Sequence, residues 1–100
     1  MYRCLVTYYT YILASFKNGT LYAGHTNNLA FRVHEHKAGR GAKFTRDHNV
    51  NRLVWYVLHD TREAAKEHEY RIKAWKRAWK IRLIEELNPE WRDLYYDLNK

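Results

Sequence analysis

The chain has 100 residues, enough for one compact domain with a real core but too few for a catalytic unit plus a separate targeting domain. A hydrophobic fraction of 46% beside 29% charged residues excludes a disordered chain, and 16% aromatic residues supply large side chains to fill a small core. Lys and Arg number 18 against 11 Asp and Glu, a formal charge of +7 that suits a polyanionic partner such as nucleic acid or acidic lipid.

Cys4 is the single cysteine, so an intramolecular disulfide and a cysteine-based zinc site are both excluded. An unpaired thiol suits a reducing cytoplasm, and the simplest reading is a spare apolar side chain near a terminus. The first residues lack an apolar core of signal-peptide length, and nowhere does the chain approach about 18 consecutive apolar residues. Neither secretion nor membrane spanning is expected.

Residues 7–13 are β-branched, aromatic or aliphatic and read as a strand, with residues 20–23 as its short partner. Between them, Asn18-Gly19 tolerates positive φ and predicts a β-hairpin. A register centred on that dipeptide puts Tyr11 and Tyr22 on one face but roughly 13 Å apart, at about 3.3 Å per residue. If the two tyrosines share a site, the loop must be wider than two residues. Thr26, Asn27 and Asn28 offer helix caps before Leu29, Val33 and His36, whose spacing of four then three marks one buried stripe, and the helix should stop near Gly39.

Residues 39–46 contain two glycines and three basic side chains and read as a mobile basic loop, able to approach a phosphate backbone or simply solvated. Residues 52–59 carry Leu-Val-Trp-Tyr-Val-Leu, six apolar residues in succession, which predicts a central, well-buried strand. Thr61 then caps a helix, with Glu63 at the positive end of its dipole and Ala65, His68, Ile72, Trp75 and Trp79 facing inward. A pattern running to Leu87 exceeds the usual helix length, so a break is expected near residues 75–77. Asn88-Pro89 should open a last helix, about 89–98, with Trp91, Leu94, Tyr95 and Leu98 on one side. The order is β-β-α-β-α-α-α: a small α/β (α+β) domain spanning residues 1–100.

Tyr9-Thr10-Tyr11, followed eleven residues later by Tyr22-Ala23-Gly24, then Arg32 in the next helix and a glutamate in a later one, resembles the GIY-YIG nuclease superfamily. Ala-Trp-Lys-Ile and Asn-Pro-Glu-Trp-Arg-Asp-Leu-Tyr extend the likeness to the short stand-alone bacterial GIY-YIG domain proteins, over nearly the whole chain and with a motif core at about 8–87. The resemblance implies a three-stranded antiparallel sheet flanked by helices, and metal-dependent hydrolysis of a DNA phosphodiester by an endonuclease or nickase in DNA repair or nucleic-acid processing. Carried over residue by residue, it implies catalytic roles for Tyr11, Tyr22, Arg32 and His36, with Glu69 as the carboxylate for one Mg²⁺ or Mn²⁺ ion. Tyr22 would be the general base or water positioner, Tyr11 its hydrogen-bonding support and Arg32 the phosphate clamp. A tyrosine serves as base only when nearby positive charge lowers its pKa, which Arg32 and a metal would do. Hard cations prefer a carboxylate and keep several waters, which fits a lone Glu69.

Each assignment has an ordinary competitor. The tyrosines are two of nine in the chain, Arg32 can be a solvated neighbour of the Leu29 stripe, and Glu69 can simply pair with Lys73 one turn on. Glu67 rivals Glu69 as a metal ligand. His34 and His36, two apart on a helix, cannot face one ion. The motif also departs from the family: Tyr-Thr-Tyr stands for Gly-Ile-Tyr, Ala23 for an aliphatic residue and Phe31 where a second arginine is common. His25 follows the second motif's glycine, and Asn88 matches a late family asparagine while also explaining itself as a cap. Six basic residues between Arg71 and Arg82, interleaved with Trp75 and Trp79, read first as an amphipathic helix pair and second as a phosphate-tracking face. Candidate DNA contacts are His25, Arg40, Lys43, Arg46, Lys73, Lys76, Arg77 and Lys80. The DNA could be branched or single-stranded, a protein partner could supply targeting, and the alternative is a nucleic-acid-binding module that cuts poorly or not at all.

Overall fold

A computed structural model describes residues 6–98; Cys4 lies outside the described residues. In chain order come strands β1 (Tyr8–Ala14) and β2 (Leu21–Thr26), helices α1 (Leu29–Lys37) and α2 (Lys43–Asp47), strand β3 (Arg52–His59), and helices α3 (Arg62–Ala74) and α4 (Arg77–Leu87). A 3-10 turn at Leu94–Asp97 follows. The three strands form one antiparallel sheet in the order β2-β1-β3, the α+β architecture expected.

The middle strand is β1, paired on both edges and covered on both faces. Ile12 and Ala14 pack with Val54 and Trp55 against Ile72 of α3, Ile84 of α4 and Trp91. Tyr11 and Leu13 point the other way, onto Leu29 and Val33 of α1 with Val50 and Leu53. The apolar run of residues 52–59 was expected to be central; instead β3 is an edge strand. Leu53, Val54 and Trp55 are buried, but Tyr56 and Val57 are only partly so and Leu58 is 57% exposed; an apolar run does not tell which strand neighbours it, and the helices cover only the first half of this edge strand.

The hairpin register pairs Leu13 with Tyr22 and Tyr11 with Gly24. Tyr11 and Tyr22 therefore share a face and lie two register steps apart, about 7 Å along the strands. The loop is indeed wide, spanning 15–20: Gly19 N–H donates to Phe16 O at 2.9 Å, Ser15 N–H to Thr20 O at 3.0 Å, and Asn18 adopts φ +61°. Arg77 closes it from outside, its Nη2 donating to Asn18 O at 2.7 Å and Gly19 O at 2.6 Å.

Asn28 caps α1 by accepting from Phe31 N–H at 3.2 Å, and Gly39 leaves the helix at φ +79°. Thr61 caps α3 by accepting from Ala64 N–H at 3.1 Å. The long helical pattern breaks where expected, with Trp75 and Lys76 extended at ψ 154° and 150°. That break resets the helical phase. Trp79, expected inside, is 55% exposed, and α4 buries Ile84 in its place.

Two further expectations are corrected. The basic stretch 39–46 is not all loop, since α2 begins at Lys43 and buries Thr45. The helix expected over about 89–98 shrinks to the 3-10 turn, because Asn88 spends its side chain on other partners. Its Nδ2 donates to Val54 O at 3.1 Å and Arg92 O at 2.8 Å, and its Oδ1 accepts from Arg92 N–H at 3.0 Å. Such a side-chain turn competes with the helical ladder. Val54 is the residue skipped where the β1–β3 register shifts from Ile12↔Trp55 to Leu13↔Leu53, so Asn88 satisfies the carbonyl of a β-bulge.

Candidate active site

One polar chain crosses the buried face between β1 and α1. Thr45 Oγ1 donates to Ala42 O at 2.8 Å, which leaves it to accept from His36 Nδ1–H at 2.9 Å. His36 Nε2 is then the bare nitrogen, and it accepts the Tyr11 hydroxyl at 3.3 Å. Burial, with the Arg32 charge added, pushes the His36 pKa down to about 4, so the ring is neutral and its tautomer is set by Thr45. Two glycines make room. A Cβ on Gly24 would stand 2.6 Å from Tyr11 Oη, and one on Gly41 would stand 2.2 Å from His36 Nδ1.

Tyr11 is 1% exposed. Burial pushes its hydroxyl up to about 12; the Tyr22 and Glu69 charges add to this, while Arg32 pulls the other way by hydrogen bonding and charge. The Tyr11 hydroxyl is thus the point at which Tyr22 from β2, Arg32 from α1 and Glu69 from α3 are all felt. Tyr22 is half-buried, its ring 5.5 Å from that of His36 and 6.4 Å from that of Phe44, which stacks in turn on His48 at 4.5 Å.

Glu69 faces β2. Its Oε1 lies 2.6 Å from His25 Nδ1 and its Oε2 lies 2.5 Å from Lys73 Nζ. Lys73 also sits 5.8 Å over the Tyr22 ring, which ties the carboxylate to the tyrosine side of the site. Burial pushes the Glu69 carboxyl up, but hydrogen bonds from Lys73 and His25 outweigh it and hold the group below the usual carboxylate range. Glu67, the rival, instead pairs with Arg71 at the exposed surface. Thr10 sets where Glu69 stands: it is fully buried and its Oγ1 donates to Ala65 O at 2.8 Å. That carbonyl is the one the helical ladder pairs with Glu69 N–H. The Tyr-Thr-Tyr departure thereby pins β1 to the turn of α3 that carries the carboxylate.

Among the described residues no group of three or more His, Cys, Asp or Glu converges as a metal cage. Glu69 is ionised at neutral pH and opens on a depression shared with His25 and Lys73. This donor set fits an ion that keeps most of its waters and takes one or two protein ligands.

A cleft of about 250 Å³ is lined by Ile12 of β1, Leu21, Tyr22 and Ala23 of β2, Phe44 of α2, Ile72 and Lys73 of α3 and Lys80 of α4. Of the basic candidates, Lys73 and Lys80 line this cleft. Arg40 pairs with Glu35 at 2.9 Å, and Lys43 and Arg46 pair with Asp47 at 2.5 and 3.6 Å, all on the α2 side. Lys76 is exposed at the start of α4. Arg77 is committed to the hairpin loop and Asn88 to the β3 bulge. Thr10, Gly41, Phe44 and Thr45 were missed from the sequence. Thr10 showed there only as the departure within Tyr-Thr-Tyr, and Gly41, Phe44 and Thr45 only as members of a run read as a loop.

The GIY-YIG catalytic domain family matches residues 7–82, and the chain belongs to that family. It is therefore a nuclease-type domain, with nucleic acid as its class of substrate, in a family that generally uses divalent metal ions. Within the family it is similar to UPF0213 proteins. One from Bacillus pumilus is 40% identical over 83% of this chain and 84% of the relative, and one from Natronomonas pharaonis is 44% identical over 77% and 89%. A UPF0213 protein from Bacillus halodurans, solved in solution by NMR, superposes with a TM-score of 0.54 at 32% identity, covering 87% of this chain and 92% of that one. Among the described residues no helix is long and apolar enough to cross a membrane.

Proposed function

We propose that the chain hydrolyses DNA phosphodiester bonds with one divalent ion, as an endonuclease or nickase in repair or nucleic-acid processing. The observation that carries this reading is the tie between Tyr22 and Glu69 through Lys73, which pairs with the carboxylate at 2.5 Å and stands 5.8 Å over the Tyr22 ring, beside a cavity that Tyr22, Lys73 and Lys80 line.

The two tyrosines divide the work. Tyr11 is no base: its hydroxyl is pushed up to about 12 and its proton is directed at His36. It is a fixed donor and spacer behind Tyr22, which reaches the cleft and positions or deprotonates the attacking water. Arg32 clamps the non-bridging phosphate oxygens through its paired N–H groups and adds positive charge beside the tyrosines. Glu69 would hold Mg²⁺ or Mn²⁺, and such an ion, when bound, neutralises charge developing on the phosphate and the leaving oxygen. Lys73, half exposed and paired with Glu69, exchanges that carboxylate for a substrate phosphate as the site fills. Neutral His36 keeps the Tyr11 hydroxyl aimed throughout.

The test is cleavage of supercoiled, single-stranded and branched DNA with Mg²⁺ or Mn²⁺, comparing the wild type with Glu69→Ala and Arg32→Ala. Each variant should lose at least about 100-fold in rate. Unchanged rates in both would sink the site assignment. Metal-independent binding without cutting on every substrate would favour a binding module, the reading that Glu69's existing partners His25 and Lys73 recommend.

A further inference from the structure

His25 has no part in the roles above, yet it shares an opening with Glu69. Its Nδ1 stands 2.6 Å from Glu69 Oε1, and the two side chains are 27% and 16% exposed. Both line the same surface depression. Lys73 takes the other carboxylate oxygen, so Nδ1 and Oε1 face each other across a single hydrogen bond. Their backbones are tied together through one residue. Thr10 is the register partner of His25 in the sheet, and its hydroxyl holds Ala65, one turn before Glu69.

We infer that His25 Nδ1 and Glu69 Oε1 are two protein ligands of one divalent cation, a mixed nitrogen and oxygen site that favours a transition-metal ion over Mg²⁺. This rests on the reading of Glu69 as the metal carboxylate. Adjacent ligands of a six-coordinate ion, each bonded at about 2.1 Å, stand about 3 Å apart. The observed 2.6 Å falls short of that by about 0.4 Å, which rotation of either partly buried side chain, turning the two donor atoms from each other toward the ion, supplies. Imidazole nitrogen suits first-row transition ions, whereas Mg²⁺ selects oxygen. Two ligands leave the remaining positions to water and to phosphate oxygen, as a hydrolytic site requires.

The probe is Mn²⁺ alone, added to the metal-free full chain and followed by electron paramagnetic resonance, with pulsed detection of ¹⁴N coupling to the bound ion. The wild type should show imidazole nitrogen coupling. His25→Ala should lose it and bind Mn²⁺ at least about tenfold more weakly, while Mg²⁺ affinity, measured by competition, changes by less than about twofold. Glu69→Gln should remove Mn²⁺ binding. Bound Mn²⁺ with no nitrogen coupling in the wild type overturns this inference and needs no variant to fold; if Glu69→Gln then removes the binding, the metal reading of Glu69 still stands. Mn²⁺ binding unaffected by Glu69→Gln overturns both.

Discussion

Acidification from pH 7 to 4.5 should destabilise this fold specifically through His36. The imidazole is buried, donates from Nδ1 to Thr45 and accepts at Nε2 from Tyr11, so a second proton would place two donors against each other. Its pKa falls from 6.5 to about 4 on folding. Between those values the unfolded chain binds more protons than the folded one. Stability is therefore complete above about pH 6.5 and drains away as the pH falls toward about 4, below which this contribution is exhausted. At about 1.36 kcal/mol per pKa unit the full loss is on the order of 3 kcal/mol, most of it gone by pH 4.5. Urea unfolding at both pH values should show the wild type losing about 2–3 kcal/mol more than His36→Gln, which cannot titrate. NMR titration of the histidine rings reads the cause directly. A His36 ring that titrates near 6.5 in the folded protein, or equal losses in the two proteins, would refute the reasoning.

The other predictions probe the supports of the site. Gly24→Ala and Gly41→Ala each drive a methyl into a ring that is buried and hydrogen bonded, so each should cost about 1–3 kcal/mol in urea melts and abolish cleavage; wild-type activity in either would mean the rings have room to move. Thr10→Val removes the bond to Ala65 O at constant shape and should cost about 1 kcal/mol, with a fall in cleavage rate under conditions where the variant is fully folded. Thr10→Ser should restore the rate, and failure to do so would detach Thr10 from the placement of Glu69. Lys80→Ala should flatten the plot of log affinity for DNA against log salt by about 0.7 to 0.9, one phosphate contact. Arg77→Ala, in contrast, should lower the melting temperature by freeing the hairpin loop and leave that slope unchanged.

The one-dimensional pattern carried the local structure. Asn28 and Thr61 cap the helices they precede, by accepting from the backbone of Phe31 and Ala64. These are short-range effects, in which a side chain meets the backbone within three or four residues, and so they are written in adjacent letters. The tyrosine spacing even demanded a loop wider than Asn18-Gly19, and the Leu13↔Tyr22 register has one.

What only the tertiary structure decided is lateral position and partnership. β3 reads as central because apolar residues announce covered faces, but hydropathy is silent on which strand stands beside it, and β1 holds the middle. Trp79 reads as core because a helical period was carried through a break that resets it. Asn88-Pro89 reads as a helix start because the carbonyl that claims Asn88, Val54 O, is 34 residues away in the chain. The site divides in the same way. Tyr11, Tyr22, Arg32, His36 and Glu69 could be named from motif order and family likeness, but Thr10 and Thr45 could not. Each matters only through a hydroxyl that meets its partner in the folded chain, Thr10 with Ala65 across 55 residues and Thr45 with the ring of His36. His25, a bare departure from the motif in the sequence, became the partner of Glu69 because an antiparallel register set it opposite Thr10, and Thr10 had already fixed α3.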